Sequence, residues 1–320
     1  MEPVVQVHEI HRRFDNVHAV CGVSFQITSG QVVGFIGANG AGKTTTMRIM
    51  ASLDVPDAGS VQICGHDTVE EAALVHRKIG WMPDAYGTYE VTTVVEYLDF
   101  FARAYGYRGS ERRMRVKQVM QFTELEPLAA RYIDTLSKGM GQRLCLGRTL
   151  LHDPEVLILD EPAAGLDPKA RVEFKHLVRL LASEGKTIFI SSHILSELED
   201  MCDSLVFIDS GKIVHVGSAD ALRKRDSKNT LIDIKVCGDP EQIANFVMMQ
   251  PGLRVLESIR GGFRIEMSGN SSENVADVLR RLIQAGIPVF EFVEQRQKLE
   301  DAFIEMVEKL ENGRDPTAKR

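Results

Sequence analysis

The sequence predicts an α/β fold with a mostly parallel sheet, interrupted by a helical insert and followed by a small α+β domain. Three observations carry that expectation. Val156 to Leu159 and Thr187 to Ser191 are short, largely apolar runs, as required of strands buried on both faces. Such runs recur in the order strand, loop, helix, which layers helices on a sheet. Between 92 and 151 the chain instead carries consecutive helical patterns with little strand character.

In chain order, Gln31 to Ile36 is a β-rich run ending in glycines, and Thr44 to Leu53 continues as a helix. Val94 to Tyr105, Arg112 to Thr123 and Gln142 to Leu151 fill the insert. Val156 to Leu159 is a strand, Lys169 to Ala182 a helix, Thr187 to Ser191 a strand, and Ser204 to Ile208 a strand ending at the turn Ser210-Gly211. The polar stretch Arg223 to Lys228 marks a boundary. Beyond it come a strand (Leu231 to Val236), a helix (Pro240 to Met249) and a strand (Arg254 to Ser258), then the Gly261-Gly262 hairpin turn. A strand (Phe263 to Met267), a helix (Glu273 to Ala285), a strand (Ile287 to Val293) and a helix from Leu299 complete the chain. That β-α-β-β-α-β order is the ferredoxin-like arrangement. The expected domains are 1–224 and 229–311, with 312–320 a disordered tail.

At 320 residues, 44% hydrophobic and 26% charged, the chain has the make-up of a folded protein with a large core. A net charge of -7 argues against nucleic acid as the main partner. Arg112, Arg113, Arg115 and Lys117 read as a solvated helix face. The five cysteines are scattered without metal-ligand spacing, which fits a reducing cytoplasmic compartment and small core hydrophobes. No signal peptide is expected at the polar N-terminus, and no apolar run approaches the ~20 residues needed to span a bilayer.

Gly37-Ala38-Asn39-Gly40-Ala41-Gly42-Lys43-Thr44 fits G-x-x-x-x-G-K-[ST] between a β-rich run and a helix. Glycines let backbone N–H groups turn inward around phosphate oxygens, and the helix adds its positive end. Lys43 would reach the β- and γ-phosphates and the Thr44 hydroxyl a Mg²⁺ ion. Val156 to Leu159 then delivers Asp160 and Glu161 to a strand's C-terminal end, where ligands gather in open α/β sheets. Asp160 suits Mg²⁺, and Glu161 suits the polarisation of an attacking water. These two features alone also suit a small-molecule kinase or a GTPase.

Leu136-Ser137-Lys138-Gly139-Met140-Gly141-Gln142-Arg143 narrows the choice, because it resembles the signature motif of ABC-type ATPases, usually LSGGQ. Around it, Phe14 matches that family's adenine-stacking aromatic, Asp84 the glutamine-loop position, Ala164-Gly165-Leu166-Asp167 the D-loop, and His193 the switch histidine. The resemblance spans residues 1 to about 220. It implies a P-loop NTPase core of ABC type with antiparallel N-terminal strands. ATP would be bound by Phe14, Gly37, Asn39, Gly40, Ala41, Gly42, Lys43, Thr44 and Thr45, with Mg at Thr44, Asp160 and Asp84. Glu161 and His193 would be catalytic. Two copies would pair head to tail, Ser137 and Gly139 of one meeting the γ-phosphate held by the other. Lys138 and Met140 depart from the signature's usual glycine and glutamine, and Asp84 is a short acid that cannot donate as glutamine does.

Such a subunit is expected in the cytoplasm, peripheral on the inner face of the cell membrane, as a homodimer bound to a separate permease. Tyr86, Tyr89, Tyr97, Phe100 and Phe101 lie near the surface that would receive the permease, most of them expected in the core. The second domain, including Lys298-Leu299-Glu300-Asp301-Ala302-Phe303, is similar to the extension on ATPases of bacterial ABC exporters, so export is the expected direction. The rival readings are an ABC-type ATPase acting on ribosomes or DNA, and a non-catalytic nucleotide-binding scaffold. The first usually carries two cores or long inserts, and the second would lack residues that this chain retains.

Overall fold

The structure is a computed structural model, and it describes residues 3–84, 87, 91–198, 201–218, 229–269 and 272–295. The chain divides into two compact units, Met1–Ser218 and Ala219–Arg320.

The first unit opens with β1 (Pro3–Phe14) and β2 (Val17–Thr28), paired antiparallel. With β4 (Ala58–Ile63) and β5 (His66–Asp67) they form a sheet in the order β2-β1-β4-β5. The pairing slips between Val7 and Ile10, where Glu9 takes φ 44, the mark of a β-bulge. Val5, Val7, Val23, Phe25 and Ile27 face inward. Phe25 meets Phe35 and Phe189 of the second sheet at ring-centroid distances of 6.1 and 5.3 Å.

That second sheet comprises β3 (Val32–Ile36), β6 (Ile79–Met82), β7 (Val156–Leu159), β8 (Thr187–Ser192), β9 (Ser204–Asp209) and β10 (Lys212–Gly217). Its order is β10-β9-β3-β8-β7-β6, parallel throughout except for β10 against β9. Every residue of β3, β7 and β8 is buried, which is why these strands read as continuous runs rather than as alternating ones.

Helix α1 (Lys43–Met50) follows the glycine-rich loop, and α2 (Ala72–Lys78) leads into β6. The insert contains α3 (Val94–Ala104), α4 (Gly109–Phe122) and α5 (Lys138–Leu150), with two short 3-10 turns between α4 and α5. Thr93 and Glu96 start α3 with a reciprocal capping box. Helix α6 (Pro168–Ser183) precedes β8, and the short α7 (Leu195–Leu198) follows it. No helix among the described residues is long and apolar enough to cross a membrane.

Two expectations need correction. The basic face of α4 is not simply solvated: Arg112 pairs with Asp99 at 2.7 Å. Arg115 donates to the carbonyls of Leu150 and Leu151 at 2.6 and 2.7 Å, satisfying acceptors at the end of α5. The cysteines are not uniformly core either. Cys145 is buried, Cys21, Cys64 and Cys202 are half-buried, and Cys237 is exposed. Burial pushes the thiols of Cys64 and Cys145 up to about 11, so neither is a ready nucleophile.

The second unit contains β11 (Asn229–Val236), α8 (Glu241–Met248), β12 (Leu253–Ile259), β13 (Gly262–Ser268), α9 (Ser272–Gln284) and β14 (Val289–Gln295). Its sheet is antiparallel in the order β12-β13-β11-β14, the ferredoxin-like strand order. Ile232, Ile234, Phe263, Ile265, Val278 and Leu282 form its core. At the hairpin, a Cβ on Gly262 would lie 1.8 Å from the Ile234 carbonyl oxygen, so only glycine fits. The stretch Arg223 to Lys228, the helix from Leu299, the segment Lys298 to Phe303 and the tail 312–320 lie outside the described residues.

Candidate active site

Parallel register brings the C-terminal ends of four neighbouring strands to one edge of the sheet. Ile36 of β3 stands beside Ser192 of β8, Leu159 of β7 beside Ile190 of β8, and Met82 of β6 beside Leu159. The glycine-rich loop, His193, Asp160 with Glu161, and Asp84 therefore leave the sheet from the same edge.

The loop is shaped by close backbone contacts. A Cβ on Gly37 would lie 2.4 Å from the Ile208 carbonyl oxygen. At Gly42, φ is 103 and a Cβ would lie 2.4 Å from the Ala19 carbonyl oxygen. Ala38, Asn39 and Gly40 are exposed, while Ala41 and Gly42 are buried. Lys43 opens α1 yet is only 6% exposed, because its side chain folds back over the loop. Its Nζ donates to the carbonyls of Gly37 at 2.7 Å and Ala38 at 3.2 Å, and lies 3.3 Å from Oε1 of Glu161. Thr45, the next residue but one, is half-buried in α1.

Asp160 is 2% exposed and held from two sides. Thr44 Oγ1 donates to its Oδ2 at 2.9 Å, and Ser191 Oγ donates to its Oδ1 at 2.7 Å. Burial pushes the Asp160 carboxyl above the usual carboxylate range. The two hydroxyl bonds pull it back in part, and the charges of Glu161 and Asp84 add to the rise. Asp84 itself is exposed just past β6. Ser191 also accepts from the Glu161 backbone N–H at 2.8 Å, fixing both acids. Sequence reasoning gave Ser191 no role; its only signal was a hydroxyl at the C-terminal end of a buried strand.

Glu161 has φ 48, a left-handed conformation that costs of order 1–3 kcal/mol in a non-glycine residue and is held by its surroundings. His193 approaches its Oε2 with both the ring Nδ1, at 2.8 Å, and the backbone N–H, at 3.4 Å. The other oxygen, Oε1, is buried, lies in ion contact with Lys43, and accepts no hydrogen bond. The site thus contains a carboxylate with one oxygen anchored by His193 and the other set against the Lys43 ammonium.

Phe14 ends β1 and is 43% exposed, so it is not a core residue. The Arg12 guanidinium lies 4.7 Å from its ring centroid and is itself held by Asp54 at 3.0 Å and Asp57 at 2.8 Å. One ring face is covered by the guanidinium, and the ring is otherwise largely exposed.

Ser137 caps α5, its side chain accepting from the Met140 N–H at 3.4 Å. Gly139 packs closely on α6, where a Cβ would lie 2.8 Å from that of Ala170. Lys138 extends over Gly165, whose Cβ would lie 2.6 Å from Nζ. Asp167 caps α6 through the Ala170 N–H at 2.9 Å. Among the described residues, no hydrogen bond joins Ser137 or Gly139 to the Lys43 loop of the same chain. Of the aromatics expected near the permease surface, Tyr97 is buried, but Phe100 is 56% exposed and Phe101 half-buried, which corrects the expectation of a core Phe-Phe pair. Tyr86 and Tyr89 lie outside the described residues.

Residues 20–164 match the family profile described as ABC transporter. The chain is 37% identical over 215 residues to the Nod factor export ATP-binding protein I of Ralstonia nicotianae, covering 67% of each. It is 36% identical over 233 residues to the ABC transporter ATP-binding protein NatA of Bacillus subtilis, covering 71% of this chain and 95% of that one. Among solved structures it is similar, at TM-score 0.61 and 25% identity, to a dimeric ATP-binding cassette in a post-hydrolysis state bound to ADP and Pi. That match covers 67% of this chain and 98% of the other.

Proposed function

The chain belongs to the ABC transporter family, and from that membership we propose that it hydrolyses ATP at this sheet edge to drive export through a separate membrane permease. The observation that carries the reading is the meeting of Lys43, Asp160, Glu161 and His193 at the ends of adjacent parallel strands, with Glu161 held between Lys43 and His193. Lys43 carries a buried positive charge on the loop that would cradle the phosphates, and would stabilise the negative charge that grows on the γ-phosphoryl oxygens. Glu161 would take the hydrogen bond of the attacking water. As the new P–O bond forms and the bond to the β-phosphate oxygen breaks, the products are ADP and phosphate, and the water's proton passes to a carboxylate or phosphate oxygen. His193 anchors Glu161 through Oε2.

The donor set fits Mg²⁺. Thr44 and Asp160 offer hard oxygens 2.9 Å apart, and no three His, Cys, Asp or Glu among the described residues surround a single point. Mg²⁺ takes few protein ligands and keeps waters and phosphates, so Thr44 and Asp160 would hold it, with Asp84 through water. When bound, it would neutralise charge on the phosphates.

The second half of the site is assigned to a second copy. Ser137 and Gly139 stand at the exposed start of α5, whose first N–H groups have no intrahelical acceptor. The export names and the dimeric cassette belong to relatives, and their consistency supports this reading. Glu161→Gln is expected to bind ATP, lose turnover and accumulate as a dimer in Mg-ATP, read by light scattering. Monomer at saturating Mg-ATP would refute the shared site.

A further inference from the structure

Beyond the site itself, an ion pair between a buried carboxylate and a half-buried guanidinium joins the two loops that flank Glu161. Glu197, on α7, is 1% exposed. Its Oε2 accepts from Ser192 Oγ at 2.8 Å, and Ser192 Oγ in turn accepts from the Ile194 N–H at 2.9 Å. These two bonds close the turn that presents His193 to Glu161. The second carboxylate oxygen, Oε1, lies 3.3 Å from Nε of Arg171 on α6. It is an ion contact without the linear geometry of a hydrogen bond, since neither atom has a hydrogen-bond partner. Arg171 also donates through Nη2 to the Leu166 carbonyl at 3.3 Å, inside the Ala164 to Asp167 loop. A continuous chain therefore runs from Leu166 through Arg171, Glu197 and Ser192 to the residue bonded to the catalytic acid.

We propose that Arg171 and Glu197 are positioning residues that hold the His193 turn in register with the 164–167 loop, so that His193 keeps Glu161 aimed at its water. Glu197 is the buried member of the pair, and removing its partner would leave its charge uncompensated, so Arg171 and Glu197 hold each other in place. Neither residue touches substrate: their effect passes through Ser192 to the backbone on either side of His193. A displacement of His193 leaves the loop around Lys43 intact, so nucleotide binding and turnover separate. The inference rests on the proposed roles of Glu161 and His193.

The test uses the full chain, with steady-state ATPase kinetics, ATP binding and thermal unfolding measured on Glu197→Gln, Arg171→Met and Ser192→Ala. Ser192→Ala leaves the ion pair intact and cuts only its link to the turn, so it remains informative if the other two fold poorly. Each variant that folds is expected to lose kcat about 10- to 100-fold, as a small misplacement of a reacting group does, with KM and ATP affinity within about 2-fold of wild type. Arg171→Lys, which keeps the charge but not the fork to Leu166, is expected to recover part of the loss. Wild-type kcat in folded Ser192→Ala and Glu197→Gln overturns the proposal, and so does a rise in KM that accounts for the lost turnover. If Glu161→Gln and His193→Ala themselves retain full turnover, the catalytic reading fails first. If they lose it while the three variants do not, only this inference fails.

Discussion

Lys43→Met tests the site most directly, because the ammonium has two measurable roles. Lys43 and Glu161 are 6% and 12% exposed, so solvent screens their contact little. Removing one partner of a buried pair costs about 3–5 kcal/mol, and methionine keeps most of the packing. His193 still bonds Oε2 of Glu161, which favours the lower end, about 3 kcal/mol. For a unit of this size that lowers Tm by about 6–12 °C. Glu161→Gln is milder, about 1–2 kcal/mol, because Lys43 keeps the carbonyls of Gly37 and Ala38. The double variant Lys43→Met/Glu161→Gln has no buried charge left unpaired, and is expected to recover about 1–2 kcal/mol relative to Lys43→Met. Separately, losing charge-assisted bonds to phosphate weakens ATP binding about 10- to 150-fold. The assay is thermal unfolding of the full chain with and without ATP, read on the transition that nucleotide raises, with calorimetric titration of ATP. Lys43→Met within about 1 kcal/mol of wild type, with no recovery in the double variant, would refute the pairing argument. Unchanged ATP affinity would remove the phosphate site from this loop.

Asp160→Asn is expected to abolish turnover yet stabilise the fold at neutral pH in EDTA. Because burial raises the folded carboxyl above its unfolded value, its charge weakens the fold above the folded value and has no such effect below the unfolded one. Equal or lower stability at pH 7 would contradict that sign. Phe14→Ala is expected to weaken ATP binding about 2- to 10-fold with Tm nearly unchanged, since the ring is exposed and stacking is worth about 0.5–1.5 kcal/mol; a large loss of Tm would return Phe14 to the core. His152 is held neutral chiefly by burial, its Nε2 2.6 Å from the Ile79 carbonyl oxygen. Its folded value is depressed, so its contribution is complete above the ordinary imidazole value of 6.5 and is lost as pH falls through the folded one. His152→Gln is expected to flatten the fall of stability measured between about pH 7 and 5.

The loop at Gly37 to Thr44 and the strand Val156–Leu159 were legible in the sequence because each is local: a fixed spacing, and a run buried on both faces. Helix α4 begins three residues before the expected Arg112, at Gly109. It has no side-chain cap to announce its start, and glycine reads as a breaker. Strands β4 and β6 were missed for another reason. β4 is mostly exposed and β6 has four residues, so neither presents a run or an alternation long enough to count. The pairing of Lys43 with Glu161 and of Arg171 with Glu197 could not be read at all. Those contacts depend on β3, β8 and β7 lying side by side, an order that long-range packing sets. Ser191 and Ser192 show the same limit: adjacent identical residues have different partners, Asp160 and Glu197, because successive side chains of a strand point to opposite faces.

The start of α5 bears on the proposed sharing of the site between two copies. Its positive end disfavours a cation, by roughly 0.3–1 kcal/mol at an exposed position, yet its first residue is Lys138. Ser137 caps only the Met140 N–H, which leaves the first N–H groups of the helix pointing outward beside that ammonium. Lys138 is exposed and its ammonium lies over Gly165, so the extra charge sits at the surface beside the 164–167 loop. Exposed donors and an added cation together form a surface that favours an anion. Under the proposed head-to-tail pairing, the nucleotide on the Lys43 loop of one copy would meet this surface of the other. On that argument, Lys138→Gly should weaken ATP-dependent dimerisation of the Glu161→Gln chain at low salt more than at high salt, because added salt screens an exposed charge. A salt-independent dimer would show that Lys138 is a packing residue on Gly165 and contributes nothing to the joint site.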